Sequence, residues 1–181
     1  MATPQEIRRI RLANDYKQMC NIKGNIISWV ATKGTEPYIE EYRITINIRT
    51  IIGVGSDAPQ YRDSSVVIVT LPPDYPMKPP KTVMISTPQP FHPNWFSTKN
   101  WCIGTWIMSE ALGDHVIRMV KTLQFDIDIT NEHSPANGEA NSWYVWKKRS
   151  GLFPCDKTKL PDPSTPNSGS SLSGFVIKRR S

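Results

Sequence analysis

From Tyr42 to Thr50 the chain alternates, with apolar Tyr42, Ile44, Ile46 and Ile48 interleaved with polar Arg43, Thr45, Asn47 and Arg49. A two-residue period puts one set on a buried face and the other on an open one, so this stretch predicts a strand. Around it, Asn25 to Ala31 and Ser65 to Leu71 are β-branched runs, and Thr82 to Ile85 is a shorter fourth. Loops rich in Gly, Asp and Pro separate them, and short connections between consecutive strands favour an antiparallel meander.

Elsewhere the period lengthens to that of a helix. Thr3-Pro4-Gln5-Glu6 has the form of a capping box with proline at the first helical position. Ile7, Ile10, Ala13, Tyr16 and Cys20 then recur at three- and four-residue spacing and predict the inner face, with Arg8, Arg9, Arg11 and Lys17 pointing mainly away from it. After Asp114, Val116, Ile117, Val120 and Leu123 share one side of a second helix. A third is expected from about Ala136 to Arg149, where Trp143 and Trp146, at i and i+3, read as core. Between strands and late helices, eight of the 16 prolines fall in Pro72 to Pro93, a stretch that cannot supply ladder donors throughout and reads as rigid irregular backbone. The fold class is therefore α+β: an N-terminal helix, a four-stranded antiparallel meander, a proline-rich loop and C-terminal helices.

Length and composition bound this picture. The 181 residues, 38% hydrophobic, allow one domain with a real core and a remainder. We read a domain over 1–153 and a flexible basic tail over 154–181, because Pro161 to Ser173 has little apolar surface to offset ordering entropy. Gly174-Phe175-Val176-Ile177 with Lys178-Arg179-Arg180 is a candidate docking peptide in that tail. No apolar run approaches the roughly 20 residues of a membrane span, and the N-terminus lacks the form of a signal peptide. The expectation is a soluble, intracellular and cytoplasmic protein with no membrane partner.

The formal charge of +6 invites a nucleic-acid reading. The excess, however, sits at the two ends, over 1–23 and 154–181, and the body between is neutral. A protein-docking or a solvated element is the better reading of each end, and no nucleic acid partner is expected. Cys20, Cys102 and Cys155 are an odd set without a CxxC pair, so neither a disulfide framework nor a thiolate zinc site is suggested; no metal and no cofactor is expected.

Taken alone, Cys102 between Trp101 and Ile103 reads as a small buried hydrophobe or as a nucleophile, the former being the commoner case. A Cys-His protease would need a histidine base with an orienting partner, and His92, His115 and His133 cannot be set beside Cys102 from sequence. Its context is more specific. Tyr75-Pro76-Met77-Lys78-Pro79-Pro80, then His92-Pro93-Asn94, then Cys102 eight residues after the asparagine, resembles the proline turn, HPN motif and catalytic cysteine of ubiquitin-conjugating enzymes. The resemblance runs over residues 1 to about 153, and Ser134-Pro135 falls where that family carries its active-site gate.

The resemblance implies the family's UBC-like fold and its activity. Cys102 would take ubiquitin or a ubiquitin-like protein from an ATP-dependent activating enzyme as a thioester and pass it to an amine, a lysine of a protein substrate. Asn94 would donate to the oxyanion or hold the neighbouring loop, His92 would be structural, and Ser134 would stand at the gate in place of the family's usual acid, with Glu132 and His133 beside it. Arg8, Arg9, Arg11 and Lys17 would meet the activating enzyme, and Met77 a ligase or substrate. Two departures bear on partners: Ser109-Glu110-Ala111-Leu112-Gly113 stands where ligase-binding members have Ser-Pro-Ala, and Ile103-Gly104 replaces the usual leucine and aspartate. These fit a divergent member, of the kind found among bacterial ubiquitin-like conjugation enzymes of antiviral defence operons. The rival readings are a non-catalytic module of the same fold that binds a ubiquitin-like protein, and a nucleic-acid-binding protein using the basic ends and tryptophans.

Overall fold

The computed structural model describes residues 2–56 and 58–166. Helix α1 (Pro4–Ile22) opens on the expected box: the Thr3 hydroxyl accepts the Glu6 N–H at 3.2 Å and the Glu6 carboxylate accepts the Thr3 N–H at 2.7 Å. Its inner face differs from the expected one. Leu12, Asp15, Met19 and Ile22 are buried, whereas Ile7 and Ile10 are 50% and 60% exposed. Tyr16 and Cys20 of the expected face do pack on the core, but the buried stripe runs through a charged residue, Asp15, whose burial depends on partners far along the chain, so apolar spacing alone misplaces its N-terminal half.

Among the described residues six strands follow, β1 (Ile27–Thr35), β2 (Tyr38–Ile46), β3 (Thr50–Val54), β4 (Pro59–Arg62), β5 (Ser65–Thr70) and β6 (Lys81–Met84), then helices α2 (Leu112–Leu123) and α3 (Gly138–Lys147). Strands β1, β2, β5 and β6 form the four-stranded antiparallel sheet in that order, as the meander reading requires. One register row, Trp29, Ile44, Val67 and Met84, crosses all four strands and is buried throughout. Each such side chain contributes about 1.5–3 kcal/mol on leaving water, and with Leu12, Met19, Val116 and Val120 of the helices they make the main core. The architecture is α+β, with α1 and α2 packed on a four-stranded antiparallel sheet and α3 beyond them.

The β3–β4 hairpin is additional to the sequence reading, which ran one strand on to Thr50. The strand pairing ends at Ile46 although Ile48 stays buried, and Thr50 starts a new strand that buries Ile51 in a second cluster with Phe125 and Tyr144. Trp143 and Phe153 pack on this cluster, and Phe125 stacks on Phe153 at 5.2 Å. Trp146 does not join it: this expected core residue is 72% exposed, with the Lys147 ammonium over its ring at 3.8 Å.

The expected start of a flexible tail at residue 154 also needs correction. The segment 155–163 is strapped to the body: Cys155 N–H donates to the Gln124 carbonyl at 2.8 Å, Gln124 Nε2 to the Thr158 carbonyl at 2.8 Å, and Asn21 Nδ2 to the Pro163 carbonyl at 2.7 Å. Leu160 packs on the main core and Pro163 is buried. Composition misses this because backbone carbonyls, which every residue carries, do the anchoring. The Gly174–Ile177 patch and Lys178-Arg179-Arg180 lie outside the described residues. Among the described residues no helix is long and apolar enough to cross a membrane.

Candidate active site

Cys102 sits in irregular backbone directly after the Trp95–Trp101 bridge and is partly buried. Its N–H donates to the Asn94 carbonyl at 2.8 Å. Two residues later Gly104 takes φ 71°, in the left-handed region that favours glycine over residues with a side chain. Lys99, the nearest cation in sequence, gives its ammonium to the Thr87 hydroxyl at 2.7 Å.

His92 and Asn94 build the wall on the other side. His92 is fully buried, and its Nδ1 accepts the Asn94 N–H at 2.9 Å, which assigns the ring proton to Nε2, facing Thr130 Oγ1 at 3.3 Å. The Thr130 hydroxyl donates to the Asp126 carbonyl at 2.8 Å and is free to accept from that ring N–H. Burial lowers the His92 pKa to about 3. The ring stays neutral, edge-on to Phe125, and ties the HPN turn to the segment after α2. Asn94 continues the tie. Its Oδ1 accepts the Asn131 N–H at 2.9 Å and its Nδ2 donates to the Ile129 carbonyl at 3.2 Å. Of its two expected roles, holding the loop is the one these bonds perform.

Ser134 is exposed, between two anchors of that loop. On one side Asn131 bonds its backbone; on the other the Ala136 N–H donates to the Pro93 carbonyl at 2.7 Å. The turn, the cysteine and the Ser134 loop are thus one hydrogen-bonded unit built on residues 92–94. Glu132, two residues before Ser134, accepts from Lys148 Nζ at 2.7 Å, which holds its carboxyl below the usual range.

Behind Cys102 stands a residue the sequence reading missed. Arg118 of α2 donates to both Glu110 oxygens at 2.7 and 2.9 Å and to the Ile103 carbonyl at 2.7 Å, and lies over the Trp101 ring at 4.9 Å. Burial would raise the Glu110 pKa, but the His115 ring and the forked guanidinium reverse this and hold it at about 2. At 3.7 Å the ring is beyond hydrogen-bond reach, so the bonding is Arg118's. His115 is buried between Trp101 and Trp106, and burial lowers its pKa.

The four cations expected on one face of α1 separate. Arg8 is held by Glu40 at 2.9 Å and by the Pro72 carbonyl, and Arg11 by Asp15 at 2.8 Å and by the Met108 and Glu110 carbonyls. Arg9 and Lys17 are exposed, Arg9 over the Tyr38 ring. Asp15, also unmarked in the sequence, is 1% exposed and accepts from Tyr75 Oη at 2.5 Å, from Arg11 and from the Leu112 N–H at 2.9 Å, joining α1, the proline turn and the start of α2. Met77 does not join the cysteine's network. It is 71% exposed on an apolar groove of about 550 Å³ shared with Ile7 and Met108. Among the described residues no group of His, Cys, Asp and Glu is arranged to hold a metal ion.

No family model matches the chain, and no curated protein matches its sequence. Among solved structures it is similar to human ubiquitin-conjugating enzyme E2 G1, at 18% identity over 68% of this chain and 98% of that one, with a TM-score of 0.48.

Proposed function

We propose that the chain is a carrier of the ubiquitin-conjugating type. The Cys102 thiolate attacks the thioester that joins a ubiquitin-like protein to its activating enzyme; a new carbon–sulfur bond forms at Cys102 and the enzyme's thiolate leaves. An amine, taken to be a lysine of a protein substrate, then attacks the Cys102 thioester. An amide forms, Cys102 leaves as thiolate, and the amine's proton passes to solvent or a nearby base. Such exchange needs no strong base beside the cysteine, in keeping with a buried His92 held neutral.

The observation that carries this reading is the bond from the Cys102 N–H to the Asn94 carbonyl, with the Asn94 carboxamide bonded in turn to the loop that bears Ser134. Motifs that resemble the family's in register are thereby in contact in space, whereas an inert buried cysteine would need none of them. The exposed cations Arg9 and Lys17 are the residues of α1 left to meet an activating enzyme, with Arg8 and Arg11 acting through the loops they hold. The groove beside Ile7, Met77 and Met108 is the face offered to a ligase or substrate.

The test is to incubate the protein with a ubiquitin-like protein, its activating enzyme and ATP. A thiol-sensitive adduct is expected in wild type and absent in Cys102→Ala. An adduct that persists in Cys102→Ala, or none in wild type with a cognate set, overturns the carrier reading in favour of a binding module.

A further inference from the structure

Asn131 makes more backbone hydrogen bonds through one side chain than its place in an exposed loop requires. Its Oδ1 accepts two N–H groups, from His133 at 3.1 Å and Ser134 at 3.0 Å, and its Nδ2 donates to the Ser134 carbonyl at 3.2 Å. Its own N–H is the donor to Asn94 Oδ1 at 2.9 Å. A continuous path therefore runs from the Cys102 N–H through Asn94 to Asn131 and on to both polar backbone groups of Ser134. Further along, the loop is held at Glu132 by Asn141 and at residue 136 by the Pro93 carbonyl. Among the described residues, Asn131 alone bonds the backbone of Ser134 itself.

We propose that Asn131 is a positioning residue for the second half-reaction: its carboxamide fixes the Ser134 segment relative to Cys102, so that an incoming amine meets the thioester at one approach. This inference rests on the carrier reading above. Attack on the thioester carbonyl needs alignment within a few tenths of an ångström, and loss of such alignment costs on the order of tenfold to hundredfold in rate. Thioester exchange onto Cys102 uses the cysteine and the surface that meets the activating enzyme, and Asn131 contributes to neither. The two half-reactions should therefore separate.

The experiment charges wild type, Asn131→Ala and Asn131→Asp with a ubiquitin-like protein, then follows discharge onto free L-lysine over a range of lysine concentrations. In Asn131→Ala charging should match wild type, whereas the maximal discharge rate falls about tenfold or more with little change in the lysine concentration at half-maximum. Asn131→Asp keeps the oxygen that accepts both N–H groups but loses the donor to the Ser134 carbonyl, so it should recover part of the lost rate, and it carries the comparison if the alanine variant does not fold. Discharge at the wild-type rate in Asn131→Ala, or charging and discharge falling in parallel, overturns this inference alone. A wild type that never charges overturns the carrier reading and this inference together.

Discussion

Arg118 donates to the Ile103 carbonyl at 2.7 Å, so the residue immediately after Cys102 is tied to the middle of α2. The same guanidinium covers the ring of Trp101, the residue immediately before. The cysteine is therefore held on both flanks by one side chain, while its own thiol is left out of the arrangement. Glu110, gripped by the remaining donors, fixes the far end of the 103–110 loop.

Replacing Arg118 with Met keeps the stem and removes the donors. The Glu110 carboxylate would then be left in a partly buried position without its charged partner, at a cost of about 2–3 kcal/mol. Urea unfolding should show that loss, and limited proteolysis should cut first between residues 103 and 110. A variant as stable as wild type with an intact loop would show that Arg118 is a surface cation only.

His92 gives a pH dependence of definite sign. Its folded pKa of about 3 lies below the unfolded value near 6.5, so below that value the unfolded chain takes up a proton that the native protein excludes. Stability is complete above about pH 6.5 and falls as the pH is lowered toward 3, by up to about 1.4 kcal/mol per pH unit for this one group. His92→Asn offers an oxygen where Nδ1 accepted the Asn94 N–H. It should lose stability at neutral pH yet show a shallower slope between pH 6.5 and 4.5 in urea unfolding. His115, also lowered by burial, keeps some slope in both proteins, so the difference between the curves is the measure. Parallel curves would show that the ring titrates normally.

Gly113 lies in the first turn of α2, where alanine would ordinarily stabilise a helix by about 0.5–1 kcal/mol. Here an added Cβ would lie 2.8 Å from Pro163 Cβ and 2.6 Å from Gln18 Oε1. Gly113→Ala should therefore destabilise, by about 1–3 kcal/mol, as the strap is pushed off α2. A thermal melt that rises instead of falling would mean that the strap gives way at no cost.

Much of the frame is legible in the sequence. The capping box at Thr3, the alternation through Ile46 and the late helical periods each depend on neighbours in sequence, and each reappears as an element in the expected order. Asp15, Arg118 and Asn131 were not legible. Each is a polar residue whose role depends on backbone groups or charges that come close only in the folded chain. Asp15 reads as a break in an apolar stripe, and Asn131 as a loop residue. The same cause misled the reading of Arg8 and Arg11, which look like a solvated face until the carbonyls that receive them are known. The HPN turn was legible as a motif, yet which Asn94 atoms serve the loop followed only from the Ile129 and Asn131 bonds.

The strap over residues 155–163 also bears on the order of assembly. A chain emerges from its N-terminus onward, and the meander has its strands early. The Phe125 and Tyr144 cluster must wait for Phe153, and Asn21 at the end of α1 for the Pro163 carbonyl that it binds. A nascent chain stopped before residue 153 would therefore expose the Phe125 and Tyr144 seam, and the packing next to His92 would be sealed only after synthesis had passed Cys102 by some fifty residues.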